Sequence, residues 1–469
     1  MKFAAPLALP LAACVAGCAM QAYHPAPPLP RATAAQLEAR RLDDQALRDW
    51  MRQAAGYSPA AWPIAHWDLH SLTLAAYYFN PSLDLARAQA AQASAAIQTA
   101  AMKPNPSASI GPGYESAPES PFMFGFNFSL PIETAGKRGY RIAEAQHLSD
   151  ASRIQIAETA WAVRSRVRAA LANYVFADQT AAILRTQEER QARYVELLQA
   201  RLHAGEIALP EVTQPRIDLT NLRQVLRSTQ GQVGIARAAL ASAIGIPETS
   251  LESLAIGWQG ADAPPAPAAL PVASLRAAAI ENRLDVQRDL ESYEAAQSAL
   301  QLAIARQYPD FDIGPGYAYE EGSHLLSLGL GAVLPLRNRN QGPIAEAVAA
   351  RKTAGAKLLA TQSTVLADID QALAAYRAAW NELQEARQST VQAQQQSRTA
   401  AAWLKAGESD RLTALTAQIQ LSVAERARIE ALRQTQLALG TLEDALQRPL
   451  SPTTAPSLPT TAPRQEESQ

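Results

Sequence analysis

"FMFGFNFSLP", residues 122–131, puts an apolar side chain at every second position. Phe122, Phe124, Phe126, Phe128 and Leu130 point one way; Met123, Gly125, Asn127 and Ser129 point the other. "LSLGLGAVLP", residues 326–335, repeats the pattern with Leu326, Leu328, Leu330, Ala332 and Leu334. Strand side chains alternate with period two. A run of about ten residues that is apolar on one face and small or polar on the other has the pattern of a transmembrane β-strand. The phenylalanines at 122, 124, 126 and 128 and the leucines at 326, 328 and 330 are therefore expected to face lipid.

Each run follows a second strand-like stretch, "PSASIGPGY" at 106–114 and "PDFDIGPGY" at 309–317. Ile110, Pro112 and Tyr114 share an apolar face, and Ser107, Ser109, Gly111 and Gly113 lie opposite. Proline has no amide proton, so its place is at a bulge or an interrupted pairing. The alternation that sends Phe311, Ile313, Pro315 and Tyr317 to lipid turns Asp310 and Asp312 into the bore, unless Arg337 or Arg339 pairs with them locally. Rings of acidic side chains favour cations. Strands are expected at about 107–116, 122–132, 309–319 and 325–336. Four strands do not close a barrel, and unpaired edges in hydrocarbon cost several kcal/mol per group, so the chain must oligomerise.

The hairpins belong to a longer duplication. "SLPIETAGKRGYRIAEA" (129–145) is echoed by "VLPLRNRNQGPIAEA" (333–347), and "LHAGE" (202–206) by "LKAGE" (404–408). Landmarks recurring in one order at nearly constant offset mark two copies of one unit. Each copy reads as a helix (about 80–103 and 274–306), two strands, a very long helix (about 138–203 and 341–405) and a final helix (about 209–245 and 411–447). At 1.5 Å per residue each long helix spans on the order of 100 Å. Val195, Leu198 and Leu202, and Leu412, Leu415 and Ile419, step by three and four as packing seams do. The organisation expected is a signal at 1–17, an N-terminal linker and equatorial segment at 18–70, and repeat 1 at 71–258. A Pro/Ala linker at 259–272, repeat 2 at 273–447 and a disordered tail at 448–469 complete it.

The start, "MKFAAPLALPLAACVAGC", has one lysine, an apolar run and then small residues, which is the form of a secretory signal. "VAGC" fits a bacterial lipobox, making Cys18 the lipid-bearing first mature residue, with Ala19 behind it. The 42 Lys+Arg against 44 Asp+Glu give no basic excess for nucleic acid. Both cysteines, Cys14 and Cys18, precede the body, so no disulfide framework holds it. "AGKR" (135–138) is not a phosphate loop: Pro131 stands where the first glycine belongs, and Arg138 where Ser or Thr does. His66 and His70 lie one helical turn apart without the glutamate of a zinc-protease helix or a third ligand. Arg164, Arg166 and Arg168 read as a solvated or salt-bridging face. No nucleophile–base set, cofactor site or metal site emerges, so the chain is not expected to be an enzyme.

The lipobox, the duplicated helix–hairpin–long helix–helix unit and the glycine breaks at the long helices' ends resemble the TolC-like outer-membrane efflux factors, over roughly residues 40 to 447. "ETAGKR" resembles the "ETGGKR" run of the heavy-metal, CzcC-like branch, with Ala135 in place of a glycine. The resemblance implies a mainly α chain with a transmembrane β-hairpin pair, assembled as a homotrimer. Such a trimer has a twelve-stranded barrel in the outer membrane and a helical tunnel in the periplasm. It implies a passive exit duct, for heavy-metal cations in that branch, docked on a periplasmic adaptor and a proton-driven inner-membrane pump. Docking tips carry over to Gly205 and Gly407, with Leu202, Ala204, Leu404 and Ala406 beside them. The same fold also serves organic solutes and protein export. A lipid-anchored coiled coil without a channel would explain the long helices but not the hairpins.

Overall fold

The computed structural model describes residues 22–27, 29–114, 116, 122–252, 254–320 and 322–450. Cys18, the residue expected to bear lipid, lies outside them. The chain divides into two units, residues 1–40 and 41–469. In the first, α1 (Pro30–Glu38) opens on Pro30, whose missing amide costs nothing at a helix start.

The second unit carries the duplication element by element. After α2 (Gln45–Ala54) and the short strand β1 (His66–Trp67), repeat 1 runs α3 (Leu69–Phe79), α4 (Pro81–Ala101), β2 (Ser107–Tyr114), β3 (Phe122–Ile132), α5 (Lys137–His203) and α6 (Leu209–Ile244). The strand β4 (Ala255–Ile256) then pairs in parallel with β1. Repeat 2 runs α7 (Val272–Asn282), α8 (Leu284–Ala305), β5 (Phe311–Glu320), β6 (Ser323–Ala332), α9 (Gln341–Ala406) and α10 (Arg411–Leu446). Among the described residues no helix is long and apolar enough to cross a membrane.

One helix expected over 274–306 is two, broken at Arg283. The break has a counterpart at Asn80, between α3 and α4. Asn80 caps α4 and donates from Nδ2 to the Ala243 carbonyl at 2.9 Å. Arg283 donates from Nη1 to the Ala445 carbonyl at 2.7 Å. Each repeat thus bends its first helix to tie the last turn of its own final helix. Both final helices end in the left-handed region, at Gly245 (φ 92) and Gln447 (φ 46). At Gly245 a Cβ would also lie 2.8 Å from the Phe79 carbonyl oxygen, so glycine is required twice over.

The bulky core sits around the middle of α5, not along its length. Leu47, Met51, Trp67, Leu72 and Phe79 pack on Val163, Val167, Leu171, Leu240 and Ile244. Repeat 2 builds its own cluster from Val365, Ile369, Tyr376, Leu439 and Leu442. A third, with Phe176, Leu383, Ile429 and Leu432, joins the repeats. Away from this belt the seams use smaller contacts. Val195 and Leu198 are buried as the spacing predicts, whereas on α10 it is Ala414 and Ala417 that are buried, with Leu412, Leu415 and Ile419 half-buried.

The arginine run splits by helical period. Arg164 and Arg168, one turn apart, are buried against α10, while Arg166 points outward. Glu443, 1% exposed, receives both guanidiniums, Arg164 at 3.0 Å and Arg168 at 3.3 Å. Arg168 also donates to the carbonyl and side-chain oxygen of Gln436 and stacks on Trp258, and Trp161 donates to Asp444 at 2.9 Å. A Cβ on Gly440 would collide with the Arg168 guanidinium, which explains a glycine inside α10. Removing Glu443 leaves two buried cations facing each other. Glu443→Ala is expected to destabilise the chain by about 3–5 kcal/mol, the cost of breaking a buried pair. Chemical unfolding in detergent, compared with Arg166→Ala as an exposed control, measures it.

Candidate functional site

Three places carry the sequence-derived candidates: the sheet, its junction with the helices, and the helix tips. The sheet is antiparallel in the order β2-β3-β5-β6. Directly opposed residues share a face, so the register sorts the side chains. Ile110↔Phe126, Pro112↔Phe124 and Tyr114↔Phe122 lie on one face, joined by Phe126↔Tyr317 and by Ile313↔Leu330, Pro315↔Leu328 and Tyr317↔Leu326. The other face holds Ser109↔Asn127 and Gly111↔Gly125, then Asn127↔Gly316, Gly314↔Gly329 and Gly316↔Ser327. Asp312 lies on this second face, opposite Gly331, and accepts from the Ser129 hydroxyl at 3.1 Å. At about 3.3 Å per residue and the tilt of barrel strands, the ten residues of β5 rise about 25 Å, the height of a membrane barrel's apolar band. Tyr114 and Phe122, with Tyr319 and His324, pack ring on ring at the hairpin ends, where barrels carry aromatic girdles.

Pro315 marks an interruption, whereas Pro112, on the edge strand β2, stays in an unbroken ladder opposite Phe124. The β3–β5 ladder pairs Asn127↔Gly316 and resumes at Leu130↔Ile313, skipping Pro315 and Gly314. There the backbones close on each other: a Cβ on Gly314 would overlap the Phe128 carbonyl oxygen. The first glycine of the second "IGPGY" is thus set by close approach.

The junction gives "ETAGKR" its role. Ala135 (φ 54) and Gly136 (φ 71) are both left-handed and turn the chain from β3 into α5; Asn340 (φ 62) makes the same turn before α9. An L-residue there costs roughly 1–2 kcal/mol, which fits the resemblance's glycine better than Ala135. Lys137, 6% exposed, donates to the Tyr308 carbonyl and to Asp310, at 2.6 and 2.7 Å. The Thr134 amide adds a bond to Asp310 at 2.8 Å. Asp310 therefore precedes β5 and is neutralised by Lys137, not by Arg337 or Arg339, which corrects its expected place as a bare charge in the bore. Arg138 and Arg141 donate to the carbonyls of Ala101 and Ala100, and Glu133 pairs with Arg141 at 2.7 Å. The motif's side chains are spent tying α4, β5 and α5 together. No group of metal-ligating side chains forms among the described residues.

At the tips the two copies coincide. Gly205 (φ 78) and Gly407 (φ 77) close the long helices with matched bonds, Glu206 to the Arg201 carbonyl and Glu408 to the Trp403 carbonyl, each 2.9 Å. No atom stands near either glycine's missing Cβ, so the backbone conformation alone demands it. Ala204 and Ala406 are exposed and Leu202 and Leu404 half-buried beside them. Trp403 and Leu209, 52% and 60% exposed, stand at the same end and were absent from the sequence reading; their signal was bulk beside the "LKAGE" and "LHAGE" turns. Arg201 joins the tips by pairing with Asp410 at 2.9 Å.

Asp410 caps α10. Hydrogen bonds from the Thr413 amide and hydroxyl, then Arg201, hold its carboxyl below the ordinary aspartate range. A depressed carboxyl contributes stability above its unfolded value, about 3.9, and loses it as pH falls further. Protection of the amides at the start of α10, taken relative to their intrinsic exchange rates, is therefore expected to fall below about pH 4, and Asp410→Asn is expected to flatten that dependence.

A short two-faced sheet continued by helices on the order of 100 Å long defines a channel with a membrane part and a helical duct. The chain belongs to the outer membrane efflux protein family, whose model matches residues 78–246 and 275–447, once per repeat. It is 24% identical over 323 residues to the cobalt-zinc-cadmium resistance protein CzcC of Cupriavidus metallidurans, covering 68% of this chain and 76% of that protein. Its fold is similar to that of VceC from Vibrio cholerae, with TM-score 0.64, 20% identity, and 81% of this chain and 95% of that chain covered. CusC is similar too, with TM-score 0.63, 17% identity, and coverage of 83% and 95%. Proteins of this family are outer-membrane efflux channels with a periplasmic helical tunnel, not enzymes.

Proposed function

We propose that the chain assembles as a homotrimer and serves as the passive exit duct of a tripartite efflux system for heavy-metal cations. Three copies supply twelve strands and a closed wall, with Phe122, Phe124, Phe126, Phe128, Leu326, Leu328 and Leu330 toward outer-membrane lipid. The carrying observation is the sorting of the four-stranded sheet into one face of aromatic and aliphatic side chains and one dominated by serine, glycine, Asn127 and Asp312, with Met123, Ala318 and Leu325 among them. Cys18, in the "VAGC" lipobox, bears the lipid anchor. The tips at Gly205 and Gly407 dock on a periplasmic adaptor, which passes substrate from a proton-driven inner-membrane pump. Trp403 and Leu209 enlarge the apolar surface available there. The metal-cation reading draws support from the likeness to a cobalt-zinc-cadmium resistance protein.

Face assignment is tested by neighbours of opposite fate. Phe126→Arg is expected to lower the yield of assembled protein, costing about 2–4 kcal/mol if the residue lies near the bilayer midplane. Asn127→Arg, one position along, should assemble normally; equal yields would reverse or abolish the assignment.

Selectivity is tested in planar bilayers. With Asp310 held by Lys137, the carboxylates left on this face of β5 are Asp312 and, at its far end, Glu320, repeated in every copy. Reversal potentials in a salt gradient are expected to show cation preference, reduced by Asp312→Asn. A chain that conducts nothing would be a coiled coil without a channel, and an anion-selective one would not serve metal cations.

A further inference from the structure

The internal duplication fixes a contact that one chain cannot make. Within the hairpins, Ile110 opposes Phe126 and Ile313 opposes Leu330, so Phe126 and Leu330 are equivalent residues of the two repeats. The seam between the hairpins, β3 against β5, is therefore a template for a second seam. That seam needs β6 on one side and β2 on the other, and these are the sheet's two free edges. Replacing each residue of Asn127↔Gly316, Phe126↔Tyr317 and Leu130↔Ile313 by its equivalent gives Gly331↔Gly113, Leu330↔Tyr114 and Leu334↔Ile110. Strand directions alternate along the sheet, so the next β2 meets β6 antiparallel, as the template requires.

Two independent observations, one on each free edge, support such a neighbour. β3 continues to Ile132 because β5 lies beside it, whereas β6 ends at Ala332. The equivalents of the missing stretch, Val333, Leu334 and Leu336, are 83%, 65% and 78% exposed. The second observation is a glycine without a local reason. Gly314 exists because the Phe128 carbonyl presses on it; its equivalent Gly111 has nothing within 4 Å of a built Cβ. The carbonyl equivalent to that of Phe128 belongs to Ala332.

We propose that β6 pairs with β2 of a second copy of this chain in that register, extends through Leu336, and sets the Ala332 carbonyl against Gly111 of the second copy. The proposal rests on the barrel reading above, which already requires these edges to meet, and adds to it the register and the residue that tolerates the approach. It also explains why glycine is spelled twice: one copy serves the chain, the other its assembly. Both free edges then find backbone partners, as hydrocarbon demands, with the seam skipping at Pro112 and Gly111 as its template skips at Pro315 and Gly314.

Cysteine pairs on the bore face test it, where aqueous oxidant reaches. Within one chain β2 and β6 are three strand spacings apart, about 14 Å, beyond any disulfide's reach of about 7 Å between Cα atoms, so a crosslink must join two copies. Membranes carrying Gly113→Cys with Gly331→Cys are oxidised with copper phenanthroline and run without reductant, the parent chain giving the background of Cys14 and Cys18. Disulfide-linked oligomer is expected at least ten-fold above Gly113→Cys with Gly329→Cys or with Val333→Cys. A stronger slipped pair overturns the register. No crosslink from any pair in a protein still oligomeric on native gels overturns the edge pairing and leaves the duct reading standing. A chain that is monomeric in membranes removes both. In parallel, Gly111→Val is expected to lose oligomer while keeping the parent's helical circular dichroism, whereas Gly314→Val damages the chain itself. Parent-like assembly of Gly111→Val would overturn the close approach.

Discussion

Hydrocarbon offers no partner to a peptide group, and this one constraint organises the molecule. A four-stranded sheet satisfies its interior and leaves two edges, so the sheet alone is not a finished object in a bilayer. Alternation of side chains decides which face meets lipid, but the edges decide that the chain has neighbours. Gly314 marks the place where the ladder breaks beside Pro315 and the two backbones draw close.

The helices solve a different problem. Helices of this length cannot bury a wide apolar core along their whole extent, and the large side chains gather near mid-length, where α2, α3 and the final helices add layers. The two repeats are joined there by charge: Arg164 and Arg168 of the first converge on Glu443 of the second. At the junction Lys137 of the first reaches Asp310 of the second. The repeat equivalents of these acids are Ala241 and Ser107, which carry no charge. The duplication is therefore unequal by design of its chemistry: ionic clasps lie inside the chain and have no counterpart on its outer flanks.

Much of this was legible in the residues. Period-two alternation located the strands closely, because phenylalanine occupies every second position of 122–128 without exception. The long helices were legible from the scarcity of proline and glycine, and the tips from glycine at the end of each. The break at Arg283 was not, since no proline announces it and its cause is a carbonyl 162 residues away in sequence. The junction motif was recognised as a word without its meaning, because Lys137 finds Asp310 only once the hairpins are stacked. Glu443 gave no signal at all: an acid in a polar helix looks solvated until two arginines from another repeat close over it.

The left-handed turn at Ala135 and Gly136 joins β3 to α5 through a connection of four residues, 133–136. A strand anchored in a sheet is thus coupled to the end of a stiff rod 67 residues long. One degree of rotation at that joint sweeps the far end by about 2 Å, since the rod is on the order of 100 Å. Small changes of angle in the membrane wall and large displacements at the tips are the two ends of one lever.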